Sequence, residues 1–360
     1  MREKQKAFRG AMLGLAVGDA MGSAVDRKSI EEICNDYGPN GLLGYDLANG
    51  YAEVSSYTQL AAFTANALLL GLTRRQVQNR NIPLVRYVGV ALREWSRSQQ
   101  YSTPERNYCW LSSEPELKRR RCMDTRMLDA LSRESLGTPE TIVYRNDHPS
   151  ALTEVLPAAL LGSILEMEAD EVDLLSAEIV ALTHGDPQTF ICGAILAHVL
   201  CTLSKQPDIS VEELLRDTVD SVSLQFSRQY GGCGHIWELF QMAQIFANSE
   251  DISPIEAMER LGCRTAPEVL AGVLYSLLTC HGDFDAAMIT AVNHSGRSCA
   301  VAALAGAMLG ARLGKESVPE FYLESLEVCQ PLMTLAEDLY NGCPEPMDLD
   351  WDRKYLQGER

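Results

Sequence analysis

Apolar side chains along this chain recur at three- and four-residue intervals far more often than they alternate, and that spacing gathers them on one face of a helix. Residues 59–72 (QLAAFTANALLLGL) show the pattern and are expected to end at Gly71. The segment 154–168 follows Pro149 and carries Pro157 near its start, where a missing N–H is tolerated. Residues 172–183 repeat the pattern and run into Thr183-His184-Gly185-Asp186-Pro187, a helix stop of the Gly/Pro kind. Further helices are expected over 188–204, 211–225, 235–248, 254–261, 267–280, 284–293 and 300–313. Ser210 and Ser253, each with a glutamate three residues on, read as N-cap boxes. Period-two strand patterns are almost absent. The expectation is an all-α fold: one compact multi-helix domain over 1–340 with short connections.

Two segments depart from the pattern. Residues 97–150 form a polar, variable insert containing Lys118-Arg119-Arg120-Arg121, a basic run that reads more readily as solvated surface than as an anion site. Residues 341–360, with Pro344, Pro346 and alternating charges, are expected to be a loose tail or a strap over the surface.

Composition narrows the class of function. Of 360 residues, 31 are Lys or Arg and 49 are Asp or Glu, a formal net charge of −18. Such a chain is a poor candidate for nucleic-acid binding, which needs a basic surface or patch. A hydrophobic share of 46% excludes wholesale disorder, and aromatics at only 7% suit helices packed closely on small side chains. The sequence pattern shows neither an uninterrupted apolar run of membrane-spanning length nor a signal-peptide start. The eleven cysteines are scattered without a CxxC pair, and we read them as reduced thiols of a cytoplasmic protein with no membrane partner.

Three clusters carry candidate chemistry. Gly10, Gly14, Gly18 and Gly22 recur every four residues, giving a smooth helix face along which another backbone can approach. Asp19 lies within that face, where a buried acid needs a partner, and Asp26 follows about a turn later. For either acid alone a cap or an ion pair is the default reading. The second cluster, Ser55-Ser56-Tyr57-Thr58, stands at a helix entry and reads as an N-cap with several hydroxyls. The third, Asn293-His294-Ser295-Gly296-Arg297-Ser298-Cys299, is a short loop entering a small-residue helix. Backbone N–H groups there can receive an anion, with Arg297 adding a forked donor set. No His/Cys spacing matches a zinc site, and a Cys299–His294 nucleophile pair lacks an evident orienting group.

In order and spacing these clusters resemble the ADP-ribosylglycohydrolase family over about residues 7–325. Gly14-Leu15-Ala16-Val17-Gly18-Asp19-Ala20-Met21-Gly22 is similar to the family's opening GLAVGDALG. Leu182-Thr183-His184 with Asp186-Pro187 resembles its mid-chain TH-x-(D/N)-P, and the run from Asn293 to Gly310 resembles its closing GGDxDTxAAIAGAxxGA. The resemblance implies an all-α fold with a site between the three clusters. It also implies two divalent cations, usually magnesium, held by a Thr-Asp-Asp motif and a late Asp-x-Asp-Thr/Ser motif. Here those positions read Ser55-Ser56-Tyr57 and Arg297, Cys299 and Ala300. With these acids replaced, no metal and no cofactor are expected. Arg297 is expected to pair with Asp19 or Asp26 in the space the cations would fill.

Three functional readings follow. The first is a metal-free degenerate member that binds an ADP-ribose-like small molecule or an ADP-ribosylated protein. Its ligand would meet Ser55, Ser56, Tyr57, His184, Ser295, Gly296, Arg297, Ser298 and Cys299. The second is an active hydrolase of N- or O-glycosidic bonds, working without metal through Asp26 or Asp19 as catalytic base and Arg297 as charge stabiliser. The third is a structural or partner-binding role, with the pocket plugged by Tyr57 and Arg297.

Overall fold

The structure, a computed structural model, describes residues 2–47, 49–100, 107–122 and 124–356. Residues 101–106 and 123 of the polar insert and 357–360 of the tail therefore lie outside the described residues. The chain forms α1 (Arg2–Ser23), α2 (Ile30–Tyr37), α3 (Ser56–Gln78), α4 (Leu84–Gln99), α5 (Thr125–Ser132) and α6 (Val155–Ile164). There follow α7 (Ala169–Ala181), α8 (Pro187–Lys205), α9 (Val211–Tyr230), α10 (Gly234–Ala247), α11 (Pro254–Leu261) and α12 (Ala266–Cys280). The last five are α13 (Phe284–Val292), α14 (Ser298–Leu313), α15 (Glu320–Ser325), α16 (Cys329–Asn341) and α17 (Leu349–Tyr355). A 3-10 turn, Pro149–Glu154, leads directly into α6. Among the described residues the one β-type contact is an isolated bridge between Ala52 and Leu326. The all-α expectation holds.

The central packing event is the antiparallel contact of α1 with α14. Gly10 faces Gly310, Gly14 faces Gly306, Gly18 faces Ala302 and Gly22 faces Cys299. A Cβ on Gly14 would stand 2.1 Å from the Gly306 carbonyl oxygen, and one on Gly18 would stand 2.0 Å from that of Ala302. Both are far inside van der Waals contact, so the two backbones touch with no side chain between them. The every-fourth-residue glycines are thus a packing device, and they place the C-terminal end of α1 beside the N-terminal end of α14.

Around this pair the core is built mainly by α3, α6, α8 and α12, whose residues are buried on nearly every face. A helix apolar all round belongs inside a protein. α8 is long and apolar enough to cross a membrane by length and composition, but 78% of its most apolar stretch is buried within the fold.

The helix ends show what the pattern alone did not reveal. α3 runs on through Gly71 to Gln78, because Gly71 makes room for α4: a Cβ there would stand 2.8 Å from side-chain carbons of Leu84 and Tyr87. Ser210 and Ser253 do cap α9 and α11, accepting from the N–H groups of Glu213 (3.4 Å) and Glu256 (3.2 Å). The reciprocal glutamate bond that completes a capping box occurs instead at Ser29/Glu32 and Thr265/Glu268. The C-terminal segment is a strap. In α17, Trp351 and Tyr355 are buried, and the Trp351 indole donates to Thr73 Oγ1 of α3 at 3.0 Å.

In the basic run Lys118, Arg119 and Arg120 are exposed, as expected of solvated surface, while its backbone and Arg121 are anchored to the fold. The buried Gln59 and Gln99 side chains bond the backbone at Arg119, Arg121 and Cys122 (2.8–3.2 Å). The Arg121 guanidinium pairs with the buried carboxylate of Glu327 and donates to the Val54 carbonyl. The polar insert is thereby held against the entry of α3.

Because the α1–α14 contact has no slack, Gly14→Ala is expected to destabilise the fold by about 3 kcal/mol. Gly44→Ala, at a glycine with open space around it, is expected to be near neutral. Urea unfolding followed by circular dichroism measures both, and equal midpoints for the two variants would refute the account.

Candidate functional site

Asp19 is fully buried, and its carboxylate is fully used. Oδ2 accepts from Ser55 N (2.9 Å), Thr58 N (3.0 Å) and Thr58 Oγ1 (2.6 Å), while Oδ1 accepts from Ser55 Oγ (2.5 Å). Two of these donors are backbone N–H groups at the start of α3, which no intrahelical carbonyl can satisfy. Ser55 is itself the N-cap, accepting from Tyr57 N at 3.2 Å. Asp19 therefore clamps the start of α3 onto α1, and its expected pairing with Arg297 does not form.

Asp26 is placed differently. Its backbone N–H closes the end of α1 on Gly22 O (2.8 Å), and its carboxylate faces the N-terminal end of α14. Oδ1 accepts one bond from Cys299 N at 3.3 Å, and Oδ2 lies 3.6 Å from Arg27 Nε. Burial raises its pKa above the ordinary carboxylate value, partly offset by the Cys299 N–H and the charges of Arg297 and Arg27. Arg27 itself is in the left-handed region at φ 69, a strained conformation for a side chain of this size. Arg297 acts on Asp26 by charge alone and has no ion pair within bonding distance among the described residues.

These elements enclose a cavity of about 250 Å³. Of the expected residues, Asp26, Ser55, Ser56, Tyr57 and Cys299 line it. Tyr57 forms wall and leaves the cavity open, so the plugged-pocket reading loses its basis. Ser295, Gly296 and Ser298 do structural work elsewhere. Ser295 Oγ bonds Ile30 N (2.8 Å) and Glu259 (3.0 Å), and Ser298 Oγ donates to Val292 O (2.9 Å). A Cβ on Gly296 would stand 2.5 Å from the Cys263 carbonyl oxygen. His294 is not a base for Cys299. Its Nε2 meets Ala291 O and its Nδ1 accepts from Gly296 N (2.9 Å each), while burial pushes the Cys299 thiol well above its ordinary value.

The remaining wall comes from Arg121 of the basic run and from residues that sequence reasoning did not single out: Ser23, Arg27, Asp124, His148 and Ser150. The last three, with His184, correct the expectation that no group here suits a metal. Asp124, His148 and His184 are all buried and place one ligand atom each within 4.8 Å of one another. Asp124 Oδ2 lies 3.2 Å from His184 Nε2 and 3.8 Å from His148 Nδ1. Ser150 Oγ bridges Asp124 Oδ2 (3.1 Å) and His184 Nε2 (3.0 Å), Asn146 donates to Oδ2 (2.9 Å), and Thr183 Oγ1 meets His184 Nδ1 (2.8 Å). His184 is thus held by the side chains of Asp124, Ser150 and Thr183.

Burial opposes the charge on Asp124. The hydrogen bond and charge of His184, with His148 and Asn146, nonetheless hold its carboxyl far below the usual range. Burial brings the His148 imidazole down to about 3 against the pull of Asp124, so the ring is neutral at physiological pH. Two imidazoles and one carboxylate are a nitrogen-rich set, unlike the all-oxygen surroundings that a magnesium pair asks for.

The family model for ADP-ribosylglycohydrolase matches residues 1–348. The chain belongs to the ADP-ribosylglycohydrolase family. A solved structure described as an ADP-ribosylglycohydrolase-related protein complex is similar over 95% of this chain and 99% of its own, with a TM-score of 0.56 and 20% identity. At that identity the likeness shows the shared fold. No curated protein sequence matches. A larger cavity, about 590 Å³, lies at the opposite end of α14, beside Met308 and Arg312. Its lining includes Asp208, Ser210, Glu212 and Arg312, and none of the residues singled out in the sequence as candidate site residues.

Near the site, Glu154 is fully buried with neither carboxylate oxygen bonded, and burial raises its pKa well above the ordinary value. A raised acid favours the native state below the unfolded pKa, and that advantage is lost as pH rises. Glu154→Met, which removes the buried acid at similar length, is expected to exceed the parent in stability at pH 8 by roughly 1–3 kcal/mol. The gap is expected to narrow towards pH 5, and thermal melts at both pH values read it. A gap that stays constant with pH would show that Glu154 does not titrate between the native and unfolded states.

Proposed function

We propose that this family member recognises an ADP-ribose-type ligand, free ADP-ribose or an ADP-ribosylated protein, by its ribosyl end. Asp26 carries the reading. Asp19 and Asp124 spend their oxygens on hydrogen bonds within the protein, whereas Asp26 accepts one long bond and keeps lone pairs at the cavity wall. A carboxylate with spare acceptors suits the adjacent hydroxyls of a ribose. A cavity of about 250 Å³ suits a sugar with its neighbouring phosphate, leaving the nucleoside end of the ligand outside. Arg27, at the mouth and half-exposed, offers cationic N–H groups to a diphosphate.

A second reading, hydrolysis of the N- or O-glycosidic bond, is favoured by the same residue. A carboxylate beside the ribose stabilises an oxocarbenium-like transition state, and the raised pKa of Asp26 makes it a better proton acceptor once ionised. Release of ADP-ribose from ADP-ribosyl-arginine and ADP-ribosyl-serine peptides separates the two readings. Turnover abolished by Asp26→Asn selects hydrolysis, and binding without turnover selects recognition.

Calorimetry tests the shared premise. ADP-ribose is expected to bind more tightly than ADP, which lacks the terminal ribose. Asp26→Asn is expected to weaken ADP-ribose binding by about tenfold or more, the worth of a charge-assisted hydrogen bond. Affinity is expected to fall as the pH is lowered through a midpoint above 3.8, because the accepting form is the carboxylate. Equal affinity for ADP and ADP-ribose, or none for either, would refute the reading.

A further inference from the structure

We propose that Asp124, His148 and His184 form a mononuclear site for a first-row transition ion of the zinc, cobalt or iron(II) class. The three residues come from separate parts of the chain: Asp124 caps α5, His148 precedes the Pro149–Glu154 turn, and His184 follows α7. Three separate segments deliver their donor atoms to one buried point. Ligands held about 2.1 Å from one ion stand about 3.0 Å apart at right angles and about 3.4 Å apart in a tetrahedron. The Asp124 Oδ2 distances of 3.2 Å to His184 Nε2 and 3.8 Å to His148 Nδ1 bracket the tetrahedral spacing closely.

The surroundings match those of a bound ion. Metal-bound histidines usually have the second ring nitrogen held by a protein group. His184 has this arrangement, with Nδ1 on Thr183 Oγ1 at 2.8 Å. The second oxygen of Asp124 is likewise fixed, accepting from Arg126 N (3.1 Å) and Met127 N (3.3 Å). His148 Nδ1 accepts from Ser150 N at 3.2 Å, a bond an ion at that nitrogen would displace, while Nε2 is buried without a hydrogen-bond partner. Ser150 Oγ sits where the ion would compete for Asp124 Oδ2 and His184 Nε2, and it becomes the hydroxyl beside the metal once displaced. Asp124, His148 and Ser150 line the cavity, which leaves the ion an open side for water or a ligand oxygen. Three protein ligands plus an open position is the arrangement of catalytic, not purely structural, zinc sites.

The inference does not depend on the ribosyl reading, because the ion alone is the probe. Tag-free protein is stripped with chelator, and calorimetry then follows titration with zinc(II), cobalt(II) and magnesium(II). One equivalent of zinc or cobalt is expected, bound at least 100-fold more tightly than magnesium. Cobalt is expected to give the visible absorption of a four- or five-coordinate nitrogen–oxygen site. His148→Ala and His184→Ala are each expected to lose the spectrum and to weaken binding beyond the roughly 10–100-fold typical of an outer-shell partner. His198→Ala, at a histidine paired with Asp173 elsewhere, is expected to leave both unchanged. If His184→Ala fails to fold, His148→Ala and the wild-type titration still decide. Folded wild type that takes up no zinc or cobalt, uptake unaffected by either variant, or a preference for magnesium would each overturn the proposal and leave Asp124 as a hydrogen-bond hub.

Discussion

Direct backbone contact between α1 and α14 is the constraint on which the rest of the structure depends. Helices that meet through larger side chains stay farther apart and keep some freedom to shift. Here the carbonyls of one helix occupy the space that a methyl group would need on the other, at Gly10, Gly14 and Gly18 alike. The register is therefore fixed at several points along the interface. It brings Gly22 against Cys299, and so sets the end of α1 beside the beginning of α14. The cavity opens where those two ends meet α3.

Asp19 turns that contact into a site. It sits on α1 between two of the contacting glycines and accepts from the first donors of α3. An acid in so apolar a place is costly unless every lone pair is used. It is tolerated here because the orphan N–H groups of a helix start are themselves costly to bury unmet. One requirement cancels the other, and the entry of α3 is held in place. That clamp leaves Asp26, seven residues farther on, as the acid of the opening segment that faces the cavity. Two carboxylates of the same opening segment thus take different roles through burial and donor supply.

Legibility in the sequence follows the same physical division. α7, α8, α11 and α14 were readable nearly to their ends, because apolar periodicity and Gly or Pro stops act locally. α3 overran its expected end because Gly71 serves packing against Leu84 and Tyr87, and a glycine kept for close approach looks the same in sequence as one that stops a helix. α17 was hidden because Trp351 and Tyr355 are buried by residues about 280 and 17 positions away, at Thr73 and Asp338. At the site, Asp26, Ser55, Ser56, Tyr57 and Cys299 were visible through glycine spacing and helix-entry chemistry. Asp124, His148 and Ser150 were not. No spacing rule links an aspartate at 124 to histidines at 148 and 184, and Asp124, His148 and Ser150 lie in the insert, whose polarity reads as surface.

That polarity has a purpose the composition could not reveal. The insert is polar because it builds the far wall of the cavity from buried hydrogen bonds. Gln59 and Gln99 fix its backbone, Glu327 neutralises Arg121, and Asp124 gathers Asn146, Ser150 and His184. A wall of apolar side chains would seal the cavity by packing. A wall of hydrogen-bonded polar groups instead holds donors and acceptors in fixed positions, because most are oriented by a second group behind them. The helical core supplies rigidity through glycine contact, and the insert supplies chemistry through a network. The motifs of α1, α3 and α14 therefore build one half of the cavity, and the insert's hydrogen-bond network builds the other.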